Sequence, residues 1–265
     1  EINSEKELWD FSYALSQNTA GYANANVVLT ANIDLKNDSW VPIGTNYHPG
    51  ADAITFTGTF DGNGHTISGN IDNMGERYQS STDVGLFACL GSGGTVKNLK
   101  VTGSVRGVGR ATNIGGIVGK NIGIVTNCTF SGSVSGGNAI NVGGVVGDNS
   151  GSVTDCTNTS GFIISGSDNN FGGVVGNNSG TVENCSNSGS FSVPAPGAGS
   201  DTSGGNLGGV VGQNSGAGAR ITSCYNIGDL CNDFPSGSSD GNLGGVVGNN
   251  SDNSSVTNSY NTGTV

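Results

Sequence analysis

The sequence predicts an all-β protein, a single right-handed parallel β-helix (a solenoid) with a short capping helix at its N-terminus. The first observation is a glycine-rich phrase that recurs along the chain, as GGIVGKN at 115–121 and GGVVGNN at 244–250. The second is that short Val- and Ile-containing segments follow each copy, separated by Gly and Asn turns. Such segments predict strands, and nothing between them has the length or period of a helix. Parallel crossovers favour the right-handed coil.

The N-terminal 1–80 segment does not follow the repeat and is expected to form a cap helix and irregular first coils. Ser4 opens a capping box with Glu7, and a helix is predicted from about residue 5 to residue 17. Leu8, Phe11 and Leu15 fall on one face of it. Such a helix would cover the first strand edges, which otherwise tend to aggregate.

Short strands are predicted between this helix and the first repeat. They are expected at 27–29, 33–35 and 54–60, and a tight turn at 61–64 precedes another strand that begins at residue 65. Trp9 and Trp40 are expected to pack into the core of this cap.

Residues 81–265 hold six copies of the repeat, continuous with the cap in one domain. One unit cannot bury its own apolar face, whereas stacked units can. A coil of about 28 residues with three strands is therefore expected, with neighbouring coils about 4.8 Å apart. The marker glycines of the six copies are Gly85, Gly116, Gly144, Gly173, Gly209 and Gly245.

Four further positions recur after each phrase: an apolar residue, a residue that is usually cysteine, a glycine, and a second apolar residue. The first apolar residue is Val96, Val125, Val153, Val182, Ile221 or Val256, and the cysteine position holds Leu99, Cys128, Cys156, Cys185, Cys224 or Ser259. The glycine is Gly103, Gly132, Gly161, Gly189, Gly228 or Gly263, and the second apolar residue is Val105, Val134, Ile163, Phe191, Leu230 or Val265.

Stacking in register also predicts ladders of identical side chains. One asparagine per copy should lie above the next, with its amide bonded to its neighbours and to turn backbone. Glycines should supply positive φ and close approach at the corners. A phosphate loop would need a following helix, and a calcium-binding nonapeptide repeat would need a fixed Asp. The ladder asparagines are Asn121, Asn149, Asn178, Asn214 and Asn250.

The cysteines are expected to be free thiols. Four share one repeat position and should stack inward as small apolar side chains. A spacing near 4.8 Å suits neither disulfide geometry nor a tetrahedral zinc site. Cys89 should also lie in the core, while Cys231 follows an inward residue and should face outward. The stacked thiols are Cys128, Cys156, Cys185 and Cys224.

The composition excludes several partners. Lys and Arg number 9 against 20 Asp and Glu, a formal charge of −11, so the basic patch that nucleic acid requires is not expected. No run of 18 apolar residues is present, so no membrane insertion is expected. Few lysines, with abundant Gly, Asn and Thr, predict a secreted or cell-surface, extracytoplasmic bacterial protein.

The repeated phrases resemble the GLUG motif, a short repeat of bacterial surface proteins found in adhesin-like β-helices and in the IgA-specific metallopeptidase family. DGNGHTI at 61–67, VGLFA at 84–88 and NIDL at 32–35 are similar to the start of such a domain. The resemblance covers nearly the whole chain and implies the β-helix fold. The zinc helix of those peptidases, HExxH, does not occur here, because the only histidines are His48 and His65. The resemblance therefore implies a non-catalytic region.

No catalytic residue, cofactor or metal ligand is assigned. Parallel β-helices can host carbohydrate-active enzymes, which need converging acids, and no converging set is visible. Asp61, beside turn carbonyls, is the one calcium candidate, and His65 is expected to be structural. Tyr225 and Tyr260 share a position and could share a face, whereas threonine does not recur at a fixed offset as an ice-binding array would require. The charged residues considered are Asp148, Asp155, Asp168, Glu183, Arg106, Arg110 and Lys120.

The expected function is a non-catalytic structural or adhesive module, with binding carried by loops on a rigid scaffold. Its partner would be a host glycan or a host or cell-surface protein. The alternatives are a carbohydrate-active β-helix enzyme and the substrate-recognition region of a larger metallopeptidase. The sequence ends inside the sixth copy, so a longer chain is expected. Candidate binding residues lie in two insertions, 194–206 and 231–242: Pro194, Pro196, Asp201, Asp233, Phe234 and Asp240.

Overall fold

A computed structural model of the chain describes residues 1–36, 40, 42–44, 54–72, 83–107, 111–136, 139–163, 170–193, 205–232 and 241–265. Within these ranges every strand pairing is parallel and joins one coil to the next. The chain is thus a β-solenoid of about six turns with a single described helix, at the N-terminus. The predicted all-β solenoid is confirmed.

The helix α1 spans Glu5–Ser16, one residue shorter than predicted. The Ser4 Oγ accepts a hydrogen bond from the Glu7 backbone N–H, which satisfies one of the free donors of the first turn. Phe11 meets Phe56 edge to face with ring centroids 5.8 Å apart, so the helix packs onto the aromatic core of the first coils. Its buried residues are Leu8, Phe11, Ser12, Leu15 and Ser16.

The first long sheet has eight strands and stacks the first predicted apolar position in register. Its column begins below the repeats, because Val27 pairs with Phe60 and Phe60 pairs with Val96. The first coils therefore contribute strands to this sheet, as the repeats do. The strand predicted at 54–60 is shorter and later than expected. The strands are Asn26–Val28, Thr59–Asp61, Thr95–Lys97, Ile124–Thr126, Ser152–Thr154, Thr181–Glu183, Arg220–Thr222 and Ser255–Thr257.

The second long sheet also has eight strands and follows the first around each coil. Between the two sheets the chain turns at one residue with positive φ, such as Asn127 at 50°. The strands are Ile33–Asp34, Thr66–Asp72, Lys100–Gly107, Thr129–Gly136, Thr157–Asn158, Ser186–Asn187, Tyr225–Asn226 and Tyr260–Asn261.

The repeated glycine phrase forms two strands and not one, so a coil has at least four strands instead of the predicted three. The double glycine bends the chain between a first and a second arch sheet. The first arch sheet comprises Asp83–Val84, Asn113–Gly115, Asn141–Gly143, Asn170–Gly172, Asn206–Gly208 and Leu243–Gly244. The second arch sheet comprises Phe87–Leu90, Val118–Asn121, Val146–Asn149, Val175–Asn178, Val211–Ser215 and Val247–Ser251. A fifth, short sheet comprises Phe162–Ile163, Phe191–Val193 and Leu230–Asn232.

The register corrects the predicted alignment of the third copy by one residue. Asn158 pairs with Asn187, so Ser160 and not Gly161 occupies the position of Gly189. Phe162 accordingly pairs with Phe191, in place of the predicted Ile163. Residue type favours Gly161 at this site, because the other copies have glycine there. The constant offset of four residues from the cysteine position identifies Ser160 instead.

Close approach, and not backbone conformation, explains the glycines of the repeated phrase. A Cβ on Gly147 would lie 2.7 Å from the Gly119 O, and one on Gly144 would lie 2.5 Å from Asn158 Cγ. None of these glycines has positive φ, so the prediction of positive φ is wrong for them, whereas turn glycines elsewhere, such as Gly64 with φ of 78°, confirm it. The left-handed corner before each cysteine position is taken by residues that tolerate it: Asn98, Asn127, Asp155, Asn184, Ser223 and Asn258.

We expect Gly144→Ala to lower the free energy of unfolding by about 2–3 kcal/mol, because the added methyl would overlap the Gly173 carbonyl and the Asn158 amide. Gly218→Ala is the control, since a Cβ there has no atom within 4 Å, and it should change stability by less than ~0.5 kcal/mol. Urea unfolding followed by circular dichroism measures both. Equal midpoints for the two variants would show that the arch has room to relax.

Candidate functional site

An inner ladder of five asparagines, four of them buried and the last, Asn250, exposed, runs through the solenoid along the second arch sheet. Each Nδ2 donates to the Oδ1 of the next coil at 2.7 Å, from Asn121 up to Asn250. Spare groups bond to backbone, as where Asn121 Oδ1 accepts from Gly123 N at 3.1 Å. Burial of so many amides is tolerable because their partners are supplied internally.

A second interior ladder was not predicted. Asn158, Asn187 and Asn226 each donate to the asparagine of the next coil at 2.6–2.7 Å, and Asn261 is the last acceptor. Each lies under the second glycine of an arch, as Asn187 lies against Gly173. The signal available in the sequence was an asparagine two residues after three of the cysteines.

A third ladder lines the first arch sheet and runs in the opposite direction, with each amide donating toward the N-terminus at 2.6–2.8 Å. It ends on Asp83, whose Oδ1 accepts from Asn113, and a carboxylate suits a terminal acceptor. Desolvation by burial raises the pKa of Asp83, against the hydrogen bond from Asn113. The amides are Asn113, Asn141, Asn170, Asn206 and Asn242.

The stacked thiols have a backbone role. In each, the Sγ donates to the carbonyl two residues earlier at 3.2–3.3 Å, across the left-handed corner. The hydroxyl of Ser259 makes the same bond at 2.9 Å in the sixth copy. Burial raises the pKa of Cys156 well above its ordinary value and that of Cys89 to about 11. Cys231 is exposed, and all six cysteines are free.

Of the charged residues weighed as catalytic candidates, Asp148 lies apart from Asp155 and Glu183, whose backbones are joined by a hydrogen bond from Asp155 N to Glu183 O at 3.0 Å. Asp148 is on the second arch sheet and accepts from Asn177 at 2.8 Å. Asp155 occupies a corner, and Glu183 points from the first long sheet beside Thr154 and Thr222. Asp168 and Arg110 lie outside the described residues. Arg106 and Lys120 have no salt bridge within the described ranges.

Asp61, the calcium candidate, is held by protein donors. Its Oδ1 accepts from the Asn63 backbone N–H at 2.8 Å and from Asn98 Nδ2 at 3.0 Å, and Lys97 Nζ lies 3.2 Å from its Oδ2. Partial burial opposes ionisation, but these donors hold the pKa of Asp61 below its ordinary value. His65 Nδ1 lies 3.3 Å from Asn32 Oδ1, a contact consistent with a structural role.

The two tyrosines share a face, as expected. Tyr225 and Tyr260 pair in register and stack with centroids 5.4 Å apart and planes 8° from parallel. The expectation that threonine does not recur at a fixed offset is wrong. The residue directly after the inward apolar residue of the first long sheet is threonine in four coils. The column is broken by Lys97 and Glu183, so it is not a continuous hydroxyl array. Its members are Thr126, Thr154, Thr222 and Thr257.

The six candidate binding residues, from Pro194 to Asp240, lie outside the described residues. The structure does show that the insertions are shorter than predicted. Asn206 and Asn242 belong to the third ladder, and Cys231 belongs to a strand of the short sheet. The variable segments are therefore 194–204 and 233–240.

Trp40 is buried, with its Nε1 donating to the Leu86 O at 3.4 Å, and Trp9 packs at the edge of the core. Across the described ranges no helix is long and apolar enough to span a bilayer. In the same part of the chain, no three His, Cys, Asp or Glu side chains are grouped so that they could hold a metal ion.

Two segments, 110–135 and 239–265, match the family described as the GLUG motif, which confirms the resemblance in those repeats. The chain is 35% identical over 142 residues to halomucin of Haloquadratum walsbyi and 34% identical over 103 residues to a protein of Evansella cellulosilytica provisionally described as a Gly-rich membrane protein. These alignments cover 51% and 38% of the chain, but only 1% and 11% of the relatives.

The fold has a counterpart among solved structures. The chain matches, over 98% of its length, 74% of a crystal structure from Bacteroides ovatus provisionally described as an immunoglobulin A1 protease, with a TM-score of 0.68 and 22% identity. This likeness shows the fold alone. The GLUG motif and the two sequence relatives together indicate a repeat module of surface proteins.

Asn178→Ala should destabilise the solenoid by about 2–4 kcal/mol, because Asn149 Nδ2 and Asn214 Oδ1 would both lose their partner inside the core. Asn177→Ala, one residue earlier on the same strand and only half-buried, is the matched control and should cost less than ~1 kcal/mol. Thermal unfolding distinguishes them, and comparable losses would mean that the inner ladder contributes no more than an outer side chain.

Alkylation by iodoacetamide should modify only Cys231 in the folded chain and all six cysteines in denaturant. The other five thiols are buried and, for Cys89, burial raises the pKa so that little thiolate forms at neutral pH. Intact-mass spectrometry counts the adducts, with Cys231→Ser as the control. Rapid labelling of any stacked thiol in the folded chain would contradict the buried column.

Proposed function

We propose that the chain is a non-catalytic structural and adhesive module of a secreted or surface-exposed bacterial protein. A rigid solenoid would hold the segments 194–204 and 233–240, which bind a host glycan or a host or cell-surface protein. The observation that carries this proposal is the pairing of Phe191–Val193 with Leu230–Asn232. Because those strands pair directly, both variable segments depart from neighbouring coils at the same position.

The scaffold suits presentation of loops. Ladders of buried amides and close backbone contacts fix each coil against the next. The ends of the variable segments are therefore already ordered, and their binding to a partner would cost little further conformational entropy there. Asp148 lies on the second arch sheet, apart from the neighbouring Asp155 and Glu183, so these three acids do not converge on one site, which supports a binding module over a hydrolase.

The test is to replace each variable segment without disturbing a ladder. In the second repeat, four residues, 137–140, connect the equivalent strand ends, Gly136 and Asn141. Gly-Ser-Gly in place of 194–204, followed by Gly205, reproduces that length, and the same replacement of 233–240 retains Gly241. Both changes keep Asn206 and Asn242, so the solenoid should remain folded.

We expect the unaltered chain to bind members of a glycan and host-protein array, and the double replacement to lose that binding at least tenfold. Each single replacement and a circular dichroism spectrum serve as controls. Binding that survives the double replacement unchanged would assign recognition to the coils and refute the loop proposal.

A further inference from the structure

A small polar cavity opens on the outside of the first regular coils, away from the variable segments. It has a volume of about 300 Å³ and lies where the first long sheet turns into the second. We propose that this cavity binds a carboxylate-bearing saccharide unit, such as a uronic or sialic acid residue of a glycan. Its lining consists of Asn63, Gly64, Asn98, Lys100, Asn127 and Thr129.

Hydrogen bonds within the cavity wall fix the orientation of two amides. Asn127 Nδ2 donates to Asn98 Oδ1 at 2.8 Å, and Asn98 Nδ2 donates to Asp61 Oδ1 at 3.0 Å. Each of these amides retains a second N–H, and Thr129 adds a hydroxyl to the wall. The wall therefore offers amide and hydroxyl donors beside the amide oxygens of Asn63 and Asn127, which suits a ligand that carries both hydroxyls and oxygen acceptors.

Lys100 supplies the charge that selects an anion. Neighbouring Lys97 lies 3.2 Å from the Asp61 carboxylate, whereas Lys100 has no salt bridge among the described residues. The Lys100 side chain is also exposed. Within the cavity wall it is the only charged side chain, so a carboxylate is the group that it would attract.

The cavity is formed before any ligand arrives. Asn63, Asn98 and Asn127 hold left-handed backbone conformations with φ of 50–53°. Gly64 N donates to the Asn98 O at 2.8 Å, and Lys100 N donates to the His65 O at 3.1 Å. Because backbone bonds hold the wall, binding would require little ordering of the protein. A volume of this size lies at the small end of ligand sites and suits one or two sugar units.

Of the two carboxylates close to the cavity wall, Asp61 is already paired with Lys97, so Asp155 is the one expected to oppose the ligand. Asp155 occupies the same corner as Asn127 one coil further on, because Thr126 pairs with Thr154 and Thr129 with Thr157. It does not line the cavity. Its charge should weaken the binding of an anion, so removing that charge has an effect opposite in sign to removing Lys100.

The experiment is a titration of the ¹⁵N-labelled chain, followed by NMR at constant ionic strength, with trigalacturonate and with sialyllactose. Fully methyl-esterified trigalacturonate and lactose are the matched uncharged probes, and acetate tests simple anion binding. Lys100→Gln and Asp155→Asn are compared with Arg106→Gln, which removes an exposed charge on the same strand outside the cavity. The double loop replacement serves as a second background, so that loop binding and cavity binding are separated.

At least one acidic saccharide should shift the amide signals of 98–100 and 127–129, and should bind at least about tenfold more tightly than its uncharged counterpart. Lys100→Gln should weaken that binding about tenfold or more, Asp155→Asn should tighten it about twofold, and Arg106→Gln should leave it unchanged. The unaltered chain and the double loop replacement should bind the acidic saccharide with the same affinity. No binding of either acid, equal binding of the uncharged probes or acetate, or an unaffected Lys100→Gln would each overturn the proposal.

Discussion

The amide-to-amide hydrogen bond between identical asparagines of successive coils is the constraint on which the solenoid depends. A buried amide that loses its partner leaves polar groups without water, at a cost of about 1–3 kcal/mol for each group. A slip of one residue between the coils of Asn149 and Asn178 would break the inner-ladder bond between them and the bonds that join the same two coils in the other two ladders. The ladders therefore specify register in a sheet whose backbone hydrogen bonds alone would accept several alignments.

The glycines and the amides form one packing unit. The second glycine of each arch lacks a side chain at the point where the second ladder approaches, as at Gly173 above Asn187. The first and third glycines bring the two arch sheets together, with backbone against backbone. Neither requirement concerns positive φ, which falls on the asparagine-rich corners. Sequence alone shows that these residues recur, while the contact between them exists only after the coil closes.

The coarse architecture was predictable because each rung repeats the same types of residue. The apolar column, the helix and the inward cysteines follow from offsets along the chain. Less predictable features arise from spatial proximity. Periodicity predicts one strand in the arch because it cannot reveal a bend at Gly116, and residue type favours Gly161 over Ser160 because glycine is the type found in the other copies. The polar cavity at Lys100 combines the recurrent corner residues Asn98 and Asn127 with a lysine that only one coil carries at its position, so the repeat pattern does not indicate it.

The ladders also determine how such a rod can change in length over evolutionary time. Each rung of the inner ladder bonds to a copy of itself, so the contact from Asn149 to Asn178 is equivalent to the contact from Asn178 to Asn214, despite seven more residues in the intervening coil. Duplication of one whole coil would create no new type of interface and would lengthen the rod by about 4.8 Å. An insertion of one residue within a strand would break every ladder that passes through it. Genes of this kind are therefore expected to gain and lose length in whole coils and to accumulate other insertions in the loops.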